Sequence, residues 1–115
     1  MRKFSLPFFV LLLLTPGAIV QAEGIADGQI LRYTTGAQGQ QEFLLVYVSG
    51  ISGAPSCSVS SRFIMSSLAP NYRSTVGTVI AAYHAGATVT VRGLGTCSFW
   101  ANTEDLSYVC PGTGC

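Results

Sequence analysis

The segment that decides the fold runs from Gln29 to Ser49 and reads QILRYTTGAQGQQEFLLVYVS. Its first part, Gln29–Thr35, is rich in β-forming residues, and a polar turn of Gly and Gln follows at 36–41. The second part, Glu42–Ser49, is apolar at almost every position, which is typical of a strand that is covered on both faces. The segment therefore predicts a β-hairpin whose second strand is central.

The rest of the chain predicts three more strands and one helix. The strands are expected at Cys57–Met65, with a bend near Ser60 and Ser61, at Thr88–Arg92 and at Leu106–Cys110. The order strand, strand, strand, helix, strand, strand predicts a mainly β protein, a small Greek-key barrel of the oligosaccharide- and oligonucleotide-binding (OB) type stapled by disulfides. A compact α+β sheet is the alternative.

The helix is predicted over Asn71–Ala85 from its period. Apolar residues recur at i, i+3, i+4 and i+7, which marks one face of a helix. We expect Asn71 or Ser74 to cap its start and Gly86 to end it in the left-handed conformation. The predicted buried face consists of Val76, Val79, Ile80 and Tyr83.

The first 22 residues have the features of a cleavable secretory signal. Arg2 and Lys3 precede an apolar run, and small residues at Val20-Gln21-Ala22 stand where signal peptidase reads them. The run is shorter than the roughly 20 residues that a membrane-spanning helix needs. We therefore expect a signal peptide at 1–22, one domain at 23–115 and a secreted or periplasmic protein without a membrane span.

Removal of that signal changes the charge balance. Residues 23–115 carry four arginines, no lysine and five carboxylates, which leaves a net charge of −1 instead of the +1 of the whole chain. This balance offers no electrostatic surface for nucleic acid or an anionic membrane. So few charges on a domain of this size also favour self-association.

All four cysteines follow the predicted cleavage point, and in an oxidising compartment they indicate two disulfides. Of the three pairings available, we favour Cys57–Cys97 and Cys110–Cys115, because Pro and Gly between the last two permit a tight turn. A zinc site is the rival interpretation, but the chain has no Cys-x-x-Cys pair and His84 is its only histidine. We expect no metal and no cofactor.

The sequence offers little support for an enzyme. His84 is better explained as a structural residue near the helix end, where its charge suits the helix dipole. Glu104 and Asp105 are adjacent, so they point in different directions, and a solvated turn explains them better than a catalytic pair. We expect no catalytic residues.

Binding is better supported. Phe99 and Trp100 lie in a loop beside Asn102 and Thr103, where rings can stack on a sugar while polar groups bind its hydroxyls. The alternative is that Trp100 caps the hydrophobic core. Phe99 and Trp100 are therefore candidate ligand contacts.

Three segments resemble the B subunits of subtilase cytotoxin and typhoid toxin. Gly28–Gly36 with Phe43–Val48 is similar to their first hairpin, and Ala82–Val91 to their helix end, glycine turn and next strand. Leu106–Cys115 is similar to their C-terminal segment with its cysteine pair. The resemblance implies an OB fold, a ring of five subunits that binds sialylated glycans, and a separate catalytic A subunit.

Two positions depart from that family. Its glycan-contacting serine near the start of the first strand falls on Asp27, where a carboxylate would repel the carboxylate of sialic acid. We keep Asp27 as a further candidate contact. The family's cysteine in the second strand is replaced by Val46 or a neighbour, so the partner of Cys57 must lie elsewhere, at Cys97.

The sequence thus predicts an exported, non-enzymatic, toxin B-subunit-like domain that recognises cell-surface glycans as an oligomer. The expected partners are a glycan, further copies of the chain in a pentamer, and a catalytic A subunit. Two alternatives stay open. One is a small periplasmic inhibitor or immunity-type protein that binds one enzyme through the loop Gly50–Ser56. The other is a structural periplasmic protein without a ligand.

Overall fold

A computed structural model describes residues 22–59, 61–113 and 115. The predicted signal peptide lies outside this part except for Ala22, as does Ser60 of the predicted bend. The described residues form six strands and one helix: β1 Ile25–Gln38, β2 Gln41–Val48, β3 Ile51–Ser52, β4 Arg62–Ser66, α1 Tyr72–Ala85, β5 Thr88–Gly93 and β6 Glu104–Pro111. The described helix is too short to cross a membrane.

β1 is the longest strand and belongs to two sheets. Its first part, 25–29, pairs antiparallel with β5, and its second part, 30–38, pairs antiparallel with β2. The register shifts between Ile30 and Arg32, as expected of a β-bulge, which bends a strand and increases its twist. This bend lets one strand belong to both sheets.

The strands close into a ring in the order β1–β2–β4–β6–β5 and back to β1. All neighbours are antiparallel except β4 and β6, which run parallel through Phe63–Glu104 and Ile64–Asp105. With the helix between β4 and β5, this is the OB-like arrangement that the sequence predicts. The prediction of a mainly β, disulfide-stapled fold with one helix is confirmed.

The third predicted strand begins later than expected. It was predicted from Cys57, but β4 starts at Arg62. The preceding segment is held elsewhere, because Cys57 is bonded to Cys97 and the Val59 N–H donates to the Asn102 carbonyl (3.2 Å). The predicted loop Gly50–Ser56 also contains the two-residue strand β3, which pairs with the start of β1.

Alternation along the strands separates an interior core from the outer surface. Phe63 and alternate residues of β2 fill the ring: Leu44, Val46 and Val48. They meet Val89 and Val91 of β5 and Leu106 of β6. Leu45 and its cross-strand partner Ile64 point the other way but are also buried, and Ile64 lies in a groove that the segment between β5 and β6 lines. β2 is therefore covered on both faces, as its composition predicts.

The helix is rotated relative to the prediction. Its buried residues are Tyr72, Thr75, Val79 and Ala82, whereas Ile80 and Tyr83 are 39% and 40% exposed. The prediction of the buried face was therefore half wrong. The small side chains Thr75 and Ala82 allow close approach to the sheet, while the Tyr83 ring packs edge-on against Tyr33, with centroids 5.4 Å apart.

The predicted helix end is confirmed, and the predicted side-chain cap is wrong. Gly86 has φ 62° in the left-handed region, and its N–H donates to the Tyr83 carbonyl. At the start, the Asn71 amide donates to the Ser107 carbonyl of β6 (3.0 Å) instead of capping α1. Tertiary contact with β6 thus takes the group that local rules assign to the cap.

Both predicted disulfides form. Cys57 is bonded to Cys97, and Cys110 to Cys115. All four cysteines are therefore in disulfides, and none is left as a free thiol. The first bond fastens the β5–β6 segment to the residues before β4, and the second closes the end of β6 on itself.

Candidate functional site

The outer surfaces at the two ends of β1 differ in character. We call the outer surface of β1, β2 and β4, with the segment 94–103 that lies on it, the aromatic face. We call the outer surface of β1, β5 and β6 the polar face. Candidate residues from the sequence lie on both.

Three rings form a cluster on the aromatic face. The Phe43 centroid lies 5.2 Å from Trp100 and 6.1 Å from Phe99, and the Phe99 and Trp100 rings are near parallel at 6.4 Å. Phe43 approaches β1 at Gly36, where a Cβ would lie 2.6 Å from the ring. Glycine at this position therefore lets the cluster lie close to the sheet.

Trp100 belongs to this outer cluster and does not cap the interior core. Its indole N–H donates to Oε1 of Gln38 at the end of β1 (2.7 Å), and the ring is half-buried. The sequence left open whether Trp100 caps the hydrophobic core or lies in a surface loop as a ligand contact. In the structure, its ring is fixed on the outer surface and is partly exposed to solvent.

Asp105 holds the segment that carries these rings. Its carboxylate accepts hydrogen bonds from the Thr96 hydroxyl (2.6 Å), from the Ser98 hydroxyl (2.6 Å) and N–H (2.9 Å), and from the Phe99 N–H (3.3 Å). Burial alone would raise the pKa of Asp105, but the hydrogen bonds from Ser98, Thr96 and Phe99 outweigh it and lower that pKa. Asp105 is thus a charged anchor that positions Phe99 and Trp100.

A row of cationic and aromatic side chains crosses the same face. Arg32 pairs with Tyr47, and Tyr47 pairs with Arg62, in adjacent strands. The Arg32 guanidinium carbon lies 3.9 Å from the centroid of Tyr47, and that of Arg62 lies 5.2 Å from the centroid of Trp100. The row therefore leads directly to the aromatic cluster.

Arg62 also braces the segment 94–103. It donates to the Thr103 hydroxyl (3.0 Å), the Tyr47 hydroxyl (3.3 Å) and the Asn102 side-chain oxygen (3.4 Å). The hydrogen bond from Arg62 lowers the pKa of the Tyr47 phenol, burial acts in the opposite direction, and Arg32 lowers it further. The phenol thus lies in the positive field of both arginines.

A groove of about 360 Å³ lies beside Phe99. Its apolar wall includes Phe99 and the exposed side chains Leu68 and Leu94, and its polar wall includes Ser66 and Ser98. This mixture of an apolar surface and a few hydroxyl groups is typical of a small-ligand site.

Glu104 points into the ring and is fully buried. One carboxylate oxygen, Oε2, accepts the N–H groups of Gly24 (2.9 Å) and Gly95 (3.0 Å), whereas Oε1 has no hydrogen-bond partner. A Cβ on Gly93 would overlap this carboxylate, so glycine is required there. The glycines explain how a carboxylate fits inside the ring.

The prediction of a solvated turn at Glu104 and Asp105 was wrong. Both residues lie in β6, and they are 0% and 7% exposed. They point in different directions, as expected, because successive residues of a strand face opposite sides. Since one faces the interior and the other the segment 94–103, they cannot act together on one substrate.

Asp27 lies on the polar face, away from Phe99 and Trp100. Its carboxylate accepts the Thr90 hydroxyl (2.7 Å), and beside it lie Arg92 and Tyr108 around a shallow depression of about 130 Å³. Arg92 forms an ion pair with Glu23 (3.4 Å). The structure therefore brings Phe99 and Trp100 together and does not bring Asp27 to them.

His84 lies exposed at the end of α1 among aromatic rings. Its centroid lies 5.2 Å from Tyr83 and 6.4 Å from Tyr33. Among the hydrogen bonds of the described ranges, none joins His84 to a serine or a carboxylate. His84 is thus an exposed residue of the last turn of α1 that contacts aromatic rings.

Sequence reasoning missed several residues of the aromatic face. The sequence places Phe43 and Tyr47 in a strand, and it does not predict Arg32 or Arg62 as parts of a site. It considers Asp105 only as a solvated turn or as a member of a catalytic pair, not as an anchor of the ring-bearing segment. The even spacing of Phe43 and Tyr47 along β2 could have indicated the aromatic face, because residues an even number of positions apart in a strand lie on the same face. The pairing of Tyr47 with Arg62 could not be predicted in this way, because it depends on the register between β2 and β4.

Comparisons with known proteins give no family for this chain. No protein-family model matches it, and no curated protein matches it.

Proposed function

We propose that this chain is an exported, non-enzymatic binding domain that recognises cell-surface glycans through its aromatic face. The observation that carries the proposal is the cluster of Phe43, Phe99 and Trp100 beside a groove on the outer surface of β2 and β4. OB folds bind oligosaccharides on the corresponding strands and on the loops at the positions of 39–40 and 94–103.

The chemistry of the face suits a sugar. Aromatic rings stack on the C–H faces of pyranoses, and Asn102, Ser66 and Ser98 supply amide and hydroxyl groups for the sugar hydroxyls. Asp105 fixes the backbone at Ser98 and Phe99, so the rings are ordered before a ligand arrives. Preorganisation of this kind lowers the entropic cost of binding.

We place recognition at Phe99 and Trp100, and Asp27 remains a predicted contact of a separate surface. The resemblance to toxin B subunits supports a glycan ligand as a class. It also motivates the catalytic A subunit as a proposed partner.

Assembly into an oligomer, with five subunits as in the toxins that the chain resembles, belongs to the same proposal. The outward face of α1 carries small residues that border a cleft of about 580 Å³, and Pro111 closes one side of it: Ser74, Gly77, Thr78 and Ala81. Small side chains permit close approach of a second copy, and Ile80 on the same helix is exposed. Light scattering on residues 23–115 at micromolar concentration tests this part, and a monomer would contradict it.

The ligand is tested with a glycan array and a matched pair of variants. We expect the domain to bind at least one class of surface glycan, and Trp100→Ala to weaken that binding tenfold or more, since aromatic anchors carry much of the energy of a binding site. Tyr108→Ala, which removes a ring from the polar face, should leave binding intact. Silence across neutral and acidic glycans, or equal loss in both variants, would refute the proposal.

A further inference from the structure

Two guanidinium groups on the aromatic face have no acidic partner. In the described part of the chain, the ion pair within 4.0 Å joins Arg92 to Glu23 on the polar face, and neither Arg32 nor Arg62 contacts a carboxylate. Half of the four arginines in residues 23–115 therefore lie unneutralised beside the proposed glycan site.

The sheet sets the spacing between the backbones of the two arginines. Arg32 and Arg62 each pair directly with Tyr47, so their backbones lie two strand spacings apart, about 9.5 Å. Arg62 uses three of its five N–H donors on Tyr47, Asn102 and Thr103, which leaves two for a ligand. Arg32 is exposed and stacks on Tyr47, which orients its guanidinium.

We propose that the row Arg32–Tyr47–Arg62 binds the acidic groups of a linear polysaccharide whose negative charges recur along the chain, with Trp100 stacking on a neighbouring sugar. This inference rests on the proposed glycan function and names its ligand class. The bound anions are carboxylates of uronic acids or sulfate esters, both of which a guanidinium binds with paired hydrogen bonds.

The number of unneutralised cations favours an internal segment of such a polymer over one terminal acid. The Arg32 guanidinium carbon lies 3.9 Å from the ring centroid of Tyr47, and a guanidinium nitrogen of Arg62 lies 3.3 Å from the Tyr47 hydroxyl, so both charges lie against the same side chain. A single carboxylate neutralises one guanidinium, whereas acidic groups that recur along a polymer neutralise both. The lowered pKa of the Tyr47 phenol agrees with this arrangement, because it reports the positive field of the two arginines at the centre of the row.

The charge of the whole domain argues against single-stranded nucleic acid, the other polyanion that OB folds bind. Residues 23–115 have a net charge of −1 and no lysine, so a phosphate at every nucleotide would find few further cations. A polysaccharide with alternating neutral and acidic sugars requires only the two that the row supplies.

The test measures binding by calorimetry to five named probes. Hyaluronan fragments carry carboxylates on alternate sugars, and chondroitin sulfate fragments add sulfates, so these two separate the sources of charge. Neutral dextran, sialyllactose with one terminal acid, and oligo(dT) complete the set. We expect one or both acidic polymers to bind more tightly than the other three, with an affinity that falls as salt rises.

Arg32→Gln is the primary variant, because Arg32 is exposed and makes no hydrogen bond to the segment 94–103. We expect it to weaken binding of the acidic polymer about tenfold, as a hydrogen bond to a charged group is lost. Arg73→Gln on α1 removes one exposed arginine elsewhere and is the matched control. Arg62→Gln should give a larger loss, with circular dichroism to verify its fold.

The outcomes separate this inference from the function on which it rests. Neutral glycan binding that Trp100→Ala abolishes and Arg32→Gln leaves unchanged would overturn the inference and keep the proposed function. Equal affinity for sialyllactose and the polymers, or tighter binding of oligo(dT), would also overturn the inference. Absence of binding to every saccharide tested would overturn both.

Discussion

The aromatic face and the polar face share the strand β1 but differ in how their charged side chains are paired. On the polar face, Arg92 is paired with Glu23, and Asp27 accepts a hydrogen bond from the Thr90 hydroxyl, so these charged groups have partners within the domain. On the aromatic face, Arg32 and Arg62 stack on rings and leave donors unused. The comparison teaches that the polar face neutralises its arginine within the domain, whereas the aromatic face leaves the charges of Arg32 and Arg62 available to a ligand.

The two disulfides allow the largest test of this comparison. Cys57–Cys97 spans 40 residues and fastens the segment 94–103 of the aromatic face, whereas Cys110–Cys115 spans five. In the loop-entropy model, removal of the first costs about 4 kcal/mol and removal of the second about 2 kcal/mol. We expect the double variant Cys57→Ser, Cys97→Ser to lower the free energy of unfolding, measured in urea, by more than the double variant Cys110→Ser, Cys115→Ser does.

An equal loss of stability in the two double-serine variants would contradict this comparison. It would mean that the segment 94–103 keeps its structure without the disulfide, through Asp105 and Arg62 alone. Fluorescence of Trp100, the single tryptophan of the chain, reports on that segment in the same experiment.

The exposed carboxylate of Asp27 and the buried carboxylate of Asp105 give a smaller and sharper contrast. Asp105→Ala leaves the donors at Thr96, Ser98 and Phe99 without their acceptor, and we expect it to lower the free energy of unfolding by about 3 kcal/mol. Asp27→Ala leaves Thr90 with a second acceptor, the Gly112 carbonyl (3.2 Å), so about 1 kcal/mol or less is expected. Urea denaturation measures both, and a loss for Asp27→Ala as large as that for Asp105→Ala would contradict the anchoring role.

The smallest effect is a pH dependence of the same anchor. The pKa of Asp105 is lowered in the folded domain, so its stabilisation is fully present above the ordinary value of about 3.9 and is lost as pH falls through the lowered pKa. The difference in unfolding free energy between the wild type and Asp105→Asn should therefore shrink below about pH 4. A difference that stays constant from neutral to acidic pH would exclude a charged anchor.

Local sequence predicts the parts of this fold that depend on neighbouring residues. The hairpin of β1 and β2 follows from their composition and the turn between them, and the disulfide Cys110–Cys115 follows from the glycines and proline that it encloses. The left-handed end of α1 at Gly86 is of the same kind. Each of these features needs only a few residues in sequence.

The predictions that failed depend on contacts that local sequence patterns do not show. Glu104 was interpreted as part of a polar turn, although the Gly24 N–H that it accepts lies 80 residues away in sequence. The partners of Asp105 are only nine and seven residues before it, at Thr96 and Ser98, but the irregular segment that brings them to its carboxylate has no periodic pattern. The helix face was misassigned for a related reason, since apolar period alone cannot tell which side meets the sheet. Phe99 and Trp100 were predicted as a pair, but their partners Phe43 and Arg62 required the register of β2 and β4.

The strand pairings that close the ring determine how fast the domain can fold. β1 pairs with β5, and β4 pairs with β6, so the pairings that close the ring join residues far apart in sequence. Small proteins dominated by such pairings fold in about milliseconds to seconds, much more slowly than helical bundles. Until β6 has been synthesised, β4 and β5 each lack one neighbouring strand and the ring cannot close.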